Sequence, residues 1–181
     1  MARKRRIQVA GLIYHVVARG ADKQRIFRDD GDCQVYLVIL RGVVAVFGWE
    51  IVAYCLMGNH IHLVVRTPYP NISRGVQRLH GHYAAHFNRR YDHPGHLFEA
   101  RFYGEPITTD AQLAVTLAYV ANNPVKAGLC PRPEDWRRSS FASGRDPFID
   151  TVTFGADRHL ERQLGEAAAA SAPAVARRTP A

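Results

Sequence analysis

The chain has 181 residues, of which 47% are hydrophobic, and this composition suits a single domain with a packed core. No apolar run is long enough to cross a membrane and no signal peptide is recognisable, so we expect a cytoplasmic protein with no membrane partner. Three scattered cysteines indicate reduced thiols and not a disulfide framework. The formal net charge is +8, and arginine is far more common than lysine. This charge favours a polyanionic partner such as nucleic acid, although a solvated basic surface explains the charge alone about as well.

Segments rich in β-branched and aromatic residues alternate with segments of helical periodicity. Only Gly58-Asn59 separates the second and third predicted strands, and this dipeptide suits a tight hairpin. In chain order, we predict a strand over 11–18 and then a helix from Asp30 to Phe47, with Asp29 or Asp30 as its cap and Gly48 as its stop. Strands over 49–57 and 60–66 follow, and then a helix from Asn71 or Ser73 to about Arg90. The last elements are an irregular strand or hairpin over 96–108 and a helix from Asp110 that Pro124 ends or breaks.

This order of elements predicts an α+β fold in which the helices cover one face of an antiparallel sheet. The other face of the sheet is then free to carry a site. We assign the folded domain to residues 1–145 and a C-terminal extension to residues 146–164. Residues 165–181 are rich in alanine and low in complexity, and we expect them to be disordered.

Two histidines, His60 and His62, stand at the start of the third predicted strand, in the sequence GNHIHLVVRT. Because alternate side chains of a strand share a face, apolar Ile61 and Leu63 are expected under the helices and the histidines on the open face. Their ring nitrogens would then be close enough to share one metal ion. A lone pair of histidines at this spacing is nevertheless more often two ordinary histidines on a half-buried sheet, so the motif needs support.

Other side chains could complete such a metal site. If the hairpin pairs Met57 with His60, Cys55 lies across from His62, and a thiolate would favour zinc. A small buried thiol is the commoner explanation for a cysteine in an apolar strand. His82 and His86 have a helical spacing that can bind metal, but their aromatic neighbours favour surface or packing roles.

The last predicted helix carries Tyr119 and Asn123 one turn apart on one face. The opposing face is an apolar stripe that includes Leu113 and Leu117. A tyrosine on the polar side of such a helix is a candidate nucleophile, although most such tyrosines only shield the surface. Asn123 stands directly before Pro124 and could cap a new turn, and spacing alone favours that role.

Five blocks of the sequence, taken together and in order, resemble the single-tyrosine HUH transposases. These form the IS200-like family, and the resemblance is greatest to its branch of REP-associated tyrosine transposases. The similarity runs from about Gly11 to Phe141. The blocks are AYCLMGNHIHLVV (53–65), SRGVQRLHGHYAAHFNRRY (73–91), GHLFEARF (95–102), LAYVANNPVKAGL (117–129) and DWRRSSF (135–141).

The resemblance implies a ferredoxin-like or RRM-like sheet with the HUH motif on one strand. It also implies an enzyme that cleaves and rejoins single-stranded DNA near hairpins through a 5′-phosphotyrosine intermediate. His60 and His62 match the metal ligands, Asn123 matches the residue that completes the metal site, and Tyr119 matches the nucleophile. On this basis we prefer a ligand role for Asn123 over the cap. Imidazole ligands alone favour zinc or manganese, whereas the family favours magnesium or manganese.

The expected partner is single-stranded or hairpin DNA, which would hold the protein at the nucleoid as a monomer or a homodimer. Arginine and lysine side chains would supply contacts to DNA phosphates, although for any one of them a solvated surface position is about equally expected. The predicted DNA-binding residues are Arg3, Lys4, Arg5, Arg6, Arg74, Arg78, Arg89, Arg90 and Arg101.

Two other functions stay open from the sequence. A non-catalytic nucleic-acid-binding module on an RRM-like sheet would need no HxH pair, and aromatic stacking residues would be expected at positions 60 and 62. A metal-dependent phosphoesterase that uses water would not need Tyr119. No phosphate-binding GxxxxGK[ST] loop is present, which agrees with a reaction that does not consume ATP.

Overall fold

The computed structural model describes residues 8–143. The predicted DNA-binding residues Arg3, Lys4, Arg5 and Arg6, the extension over 146–164 and the tail over 165–181 lie outside the described residues. The strands are β1 (Ile13–Arg19), β2 (Glu50–Leu56), β3 (His60–Arg66) and β4 (Tyr103–Ile107), and the helices are α1 (Asp30–Phe47), α2 (Ile72–Tyr91) and α3 (Asp110–Lys126).

Local signals set both ends of α1 as predicted, whereas the predicted side-chain cap of α2 is not formed by Asn71. The Asp29 carboxylate accepts a hydrogen bond from the Asp32 backbone N–H at 2.9 Å and caps α1, which ends at Gly48 in the left-handed conformation. Helix α2 begins after Asn71, but the Asn71 side chain does not cap it. That side chain instead accepts a hydrogen bond from Trp49 Nε1 at 2.7 Å, and so ties the start of α2 to the start of β2.

The four strands form one antiparallel sheet in the order β2-β3-β1-β4. Together with the chain order β1-α1-β2-β3-α2-β4, this is the ferredoxin-like arrangement. The hairpin has the predicted register, since Met57 N donates to His60 O at 2.9 Å and Cys55 lies opposite His62. The α+β class and the antiparallel sheet are therefore confirmed.

The main hydrophobic core lies between the sheet and helices α1 and α2. Alternate residues of β3, Ile61, Leu63 and Val65, point into this core and are buried. The second core lies on the other face of the sheet, where Val64 of β3 packs with Leu117 of α3. The other buried residues of this second core are Ala53, Cys55, Met57, Ile107, Leu113 and Val120.

One detail of the predicted architecture is wrong, because helices lie on both faces of the sheet. Helices α1 and α2 share one face as expected, whereas α3 packs on the face that carries His60 and His62. The physical reason is that this second face is also apolar away from the histidines, at Ala53, Cys55 and Val64. Apolar surface of that extent is stabilised by a covering helix.

The predicted strand or hairpin over 96–108 has two parts. Residues 103–107 form β4, while the segment before it attaches to the end of β1 through a single bridge between Gly20 and Phe98. The opposite edge of the sheet, at β2, is covered by a C-terminal segment, since Leu56 N donates to Arg138 O at 2.8 Å.

No helix in the described part of the chain is both long and apolar enough to cross a membrane.

Candidate active site

His60 and His62 lie side by side on the face of β3 that α3 covers. The alternation of side chains along the strand directs both rings to this face, as predicted, and their ring centroids are 5.0 Å apart. His62 is only 3% exposed, whereas His60 is half-buried. His60 Nδ1 lies 2.8 Å from Asn59 Oδ1, to which it donates a hydrogen bond. The second nitrogen of the His60 ring, Nε2, is therefore free to accept or to bind a cation.

Helix α3 brings Tyr119 and Asn123 over these histidines. Leu117 and Val120 anchor α3 to the sheet, and Tyr119 and Asn123, which are one turn apart, contact the histidines. Asn123 Oδ1 lies 3.4 Å from His60 Nε2, and the Tyr119 ring meets the His62 ring edge-on with centroids 5.5 Å apart. Tyr119 remains 44% exposed. The fold thus gathers all four predicted residues.

Asn123 lies inside α3 and does not cap a new turn. The helix continues through Pro124 to Lys126, and Ala127 N donates to Asn123 O. The prediction that Pro124 ends or breaks the helix is therefore wrong. Pro124 is buried against the rest of the protein, so packing offsets the backbone hydrogen bond that proline cannot donate. The capping role that spacing alone favoured for Asn123 is excluded.

A third histidine, His15, belongs to the same cluster and was not among the site residues predicted from the sequence. Its Nε2 lies 3.0 Å from His62 Nδ1, and the two rings are stacked with centroids 5.2 Å apart. The alternation of side chains along β1 could have placed His15 on the open face of the sheet, because Tyr14 and Val16 on either side of it enter the main core. It could not be used without knowing that β1 pairs with β3.

Burial lowers the pKa of each histidine in the cluster. The pKa of His62 falls to about 3, first because of burial and then because of the neighbouring His60 and His15. Burial also lowers the pKa of His60, against a smaller raising effect of Asn123, and that of His15, against the nearby Glu105 carboxylate. The imidazoles are therefore held in the neutral form, which is the form that binds metal ions.

The donor atoms of this cluster fit a bound cation. His62 Nε2 is buried and forms no hydrogen bond to any described residue. His60 Nε2 and Asn123 Oδ1 face each other as two acceptors, because the His60 ring proton is donated to Asn59. A cation would satisfy all three atoms. Residues 8–143 contain no group of three or more His, Cys, Asp or Glu side chains placed to hold a metal. The candidate donors are two imidazoles and one amide.

Cys55 does not have the character of a metal ligand, which agrees with the packing role favoured from the sequence. Its side chain is fully buried in the second core, and its thiol contacts Met57 Sδ at 3.6 Å. Burial raises the pKa of this thiol to about 12, which opposes the thiolate that a metal would need.

The predicted arginines fall into different surroundings. Arg101 lines a cleft of about 540 Å³ that His60, His62 and Tyr119 also line. Arg74, Arg78 and Arg89 are exposed on α2, which packs on the other side of the sheet. His82 is exposed and His86 packs on Tyr83, also on α2, so these two histidines have the surface and packing roles that the sequence favoured.

Arg90 is already bound to two carboxylates. It contacts Asp29 at 2.6 Å and the fully buried Asp32 at 2.8 Å, and so joins the end of α2 to the start of α1. This arrangement favours a structural role over the predicted DNA contact.

Arg19 and Lys23, by contrast, line the cleft beside His60. Neither was predicted from the sequence, because one stands at the end of a strand and the other in a turn, where basic residues are common.

Comparison with known proteins identifies the family of this chain. The family model described as Transposase IS200 like matches residues 8–123, a range that contains both histidines of the HxH pair, Tyr119 and Asn123. A protein of Haemophilus influenzae assigned as a REP-associated tyrosine transposase is 30% identical over 107 residues, which are 52% of this chain and 60% of that relative. This chain therefore spans less than two thirds of the relative's length.

Two solved structures are also similar. A REP-associated tyrosine transposase bound to a REP hairpin matches with a TM-score of 0.65 and 18% identity, over 78% of this chain and 83% of that chain. A protein of Deinococcus radiodurans assigned as a transposase matches with a TM-score of 0.47 and 23% identity, over 67% of this chain and 97% of that one. The first likeness supports the fold, and the family model covers well over half of the sequence. The chain belongs to the IS200-like transposase family.

Proposed function

We propose that this protein is a metal-dependent transposase that cleaves and rejoins single-stranded DNA near hairpins, with Tyr119 as the nucleophile. The observation that carries the proposal is the approach of α3 to β3, which sets an exposed tyrosine and an amide oxygen beside two neutral imidazoles. The hairpin in the similar solved structure supports hairpin DNA as the partner.

His60, His62 and Asn123 would hold the divalent metal, for which magnesium or manganese is our choice. When bound, such an ion polarises the scissile phosphate and offsets the charge that develops on its oxygens. Two imidazoles and one amide leave coordination positions open for those oxygens. Asn59 orients His60 by accepting the proton of its Nδ1, so that Nε2 is directed toward the site.

Tyr119 would supply the attacking oxygen. Its phenolic oxygen forms a bond to phosphorus and loses its proton, the bond from phosphorus to the 3′-oxygen breaks, and that oxygen takes up a proton. The products are a 5′-phosphotyrosine and a free 3′-hydroxyl. Because one phosphate ester replaces another, a later 3′-hydroxyl can reverse the step and join strands without ATP.

A covalent adduct is the decisive test. The protein is mixed with a labelled hairpin taken from repeats that flank its gene, together with magnesium or manganese, and is then denatured in detergent. We expect a protein–DNA adduct that survives denaturation and that Tyr119→Phe abolishes, since the variant loses only the attacking oxygen. Tyr103→Phe is the matched control, because Tyr103 is 61% exposed and lines the same cleft.

Each other outcome identifies a different function. Cut DNA without an adduct, unaffected by Tyr119→Phe, would indicate a phosphoesterase that uses water. Binding of the hairpin without cutting would indicate a nucleic-acid-binding module. An adduct that persists in Tyr119→Phe but disappears in Tyr103→Phe would assign the nucleophile to Tyr103.

A further inference from the structure

An ion pair between Arg19 and Glu99 stands at the rim of the candidate active-site cleft. Both Nε and Nη2 of Arg19 lie 2.7 Å from the same carboxylate oxygen of Glu99, Oε2. Arg19 is the last residue of β1 and lies opposite His60 of β3 in the sheet. The guanidinium group is therefore close to a proposed metal ligand, and both Arg19 and Glu99 line the cleft.

The backbone of the segment that carries Glu99 is fixed against β1. Glu99 N donates to Arg19 O at 3.0 Å, and Ala21 N donates to Leu97 O at 2.9 Å. Gly20 forms a bridge with Phe98 between these two hydrogen bonds. The position of Glu99 is consequently set by the backbone and does not depend on the ion pair alone.

Glu99 is the one carboxylate among the described residues that line the cleft. The cationic residues there are Arg19, Lys23 and Arg101. A negative charge is unfavourable in a cleft that receives a DNA strand, because it repels phosphates. A carboxylate does, however, present oxygens to a guanidinium group much as a phosphate does.

The pair is also exposed enough to exchange. The side chains of Arg19 and Glu99 are 46% and 48% exposed, and pairs this exposed contribute little to the stability of a protein. A DNA phosphate could therefore replace the Glu99 carboxylate on Arg19 without disturbing the core. Since the backbone holds the rim in place, the exchange needs only a rotation of side chains.

We propose that Arg19 binds a phosphate of the single-stranded DNA beside His60. In the absence of DNA, the Glu99 carboxylate pairs with the Arg19 guanidinium group, and the phosphate displaces this carboxylate when DNA binds. Glu99 thus acts as an internal competitor that lowers the affinity of the cleft for DNA. This inference rests on the proposed function for the identity of the substrate. It adds a phosphate-binding residue and a restraint on binding to that site.

A double-mutant cycle on DNA affinity tests the competition. Fluorescein-labelled oligothymidine, and the repeat hairpin with its single-stranded flank, are titrated with protein in chelator, so that no metal-dependent chemistry occurs. We expect Arg19→Gln to weaken binding by roughly three- to tenfold and to reduce the slope of log affinity against log salt by about 0.7. Glu99→Gln should tighten binding in the wild-type chain and tighten it clearly less in the Arg19→Gln chain, where only the general repulsion of phosphates by the carboxylate is relieved.

The second half of the cycle separates competition from general repulsion. If Glu99→Gln tightens binding equally with and without Arg19, the carboxylate acts only through its charge and the proposal is overturned. Unchanged affinity and salt slope in Arg19→Gln would also overturn it. Glu50→Gln is the matched control, because Glu50 pairs with Arg66 at the other end of the sheet and is 49% exposed. Its DNA affinity should equal that of the wild type.

The outcome is independent of the adduct test. A protein that forms no adduct but shows the expected coupling would keep the phosphate site and lose the tyrosine mechanism. A protein that forms the adduct through Tyr119 without the coupling would lose only the role of Arg19 and Glu99. Circular dichroism of each variant at the temperature of the titration establishes that it is folded.

Discussion

His15 and His62 stack ring on ring, with His15 Nε2 3.0 Å from His62 Nδ1. A metal-ligating histidine needs its lone pair on the nitrogen that faces the metal, so the proton must reside on the other nitrogen. In this cluster the buried Nε2 of His62 has no partner in the described part of the chain, and Nδ1 faces His15. If His62 binds the proposed metal through Nε2, His15 would provide the acceptor that keeps the proton of His62 on Nδ1.

We expect His15→Phe to weaken metal binding by about 10- to 100-fold, the usual effect of removing a hydrogen-bond partner of a ligating histidine. Phenylalanine preserves a stacked ring but offers no acceptor to His62. Calorimetric titration with Mn²⁺ measures the effect without relying on DNA cleavage. His15→Gln, which can still accept a hydrogen bond, should recover part of the affinity. Equal Mn²⁺ affinity in wild type and His15→Phe would rule out this positioning role.

Asn123→Ala should reduce adduct formation with little change in stability. The variant removes the amide oxygen that faces His60 Nε2, so the proposed metal site loses one donor. Added Mn²⁺ is expected to restore part of the activity. Because Asn123 lies inside α3, alanine should leave the free energy of unfolding unchanged or raise it by about 0.5 kcal/mol.

Asn122→Ala serves as the control for Asn123→Ala. The Asn122 side chain donates to Ala118 O at 2.9 Å within the same helix and so belongs to another face of it. Its removal should leave adduct formation at the wild-type level. Adduct formation that falls equally in both variants would mean that the amide of Asn123 has no special part in the site.

Arg90→Gln should lower the melting temperature clearly and change the affinity for DNA only slightly. The substitution removes the charged partner of the buried Asp32 carboxylate and the link to Asp29. Arg89→Gln is the matched variant, because Arg89 is exposed and forms no ion pair with any residue between 8 and 143. Thermal unfolding should show the larger loss of stability in Arg90→Gln. Hairpin titration should show the larger loss of affinity in Arg89→Gln only if Arg89 contacts the DNA. A higher melting temperature in Arg90→Gln than in Arg89→Gln would refute the structural role of Arg90.

Gly75→Ala should destabilise the protein by about 1–3 kcal/mol. A Cβ atom at this position of α2 would overlap the Trp49 indole, which Asn71 holds by a hydrogen bond to Nε1. Gly81 lies on the same helix, and its added Cβ would meet nothing within 4 Å. Gly81→Ala should therefore stabilise by up to about 1 kcal/mol through helix propensity. Chemical denaturation of both variants measures the difference, and a Gly75→Ala protein as stable as wild type would contradict this account of the helix–strand contact.

Elements with strong local signals were predictable from the sequence. Helix α1 has the predicted bounds, because the Asp29 cap and the left-handed Gly48 act within a few residues of the helix ends. The HxH pair was predictable in the same way, since strand alternation alone puts both rings on one face. The course of α3 through Pro124 was not predictable, because it depends on packing between distant parts of the chain.

Local sequence patterns predicted the element types and the pairing of β2 with β3, whereas the candidate roles of Tyr119 and Asn123 came from the family resemblance. The element types and this pairing depend on periodicity, turn residues and side-chain type, all of which act locally. Long-range packing places α3 on the face of the sheet that carries the histidines and brings His60 to Asn123, which is 63 residues away in the sequence. The same holds for the contacts of His15 with His62 and of Arg19 with Glu99. Such contacts could not be predicted because they depend on which apolar surfaces bury each other, and burial depends on the whole chain.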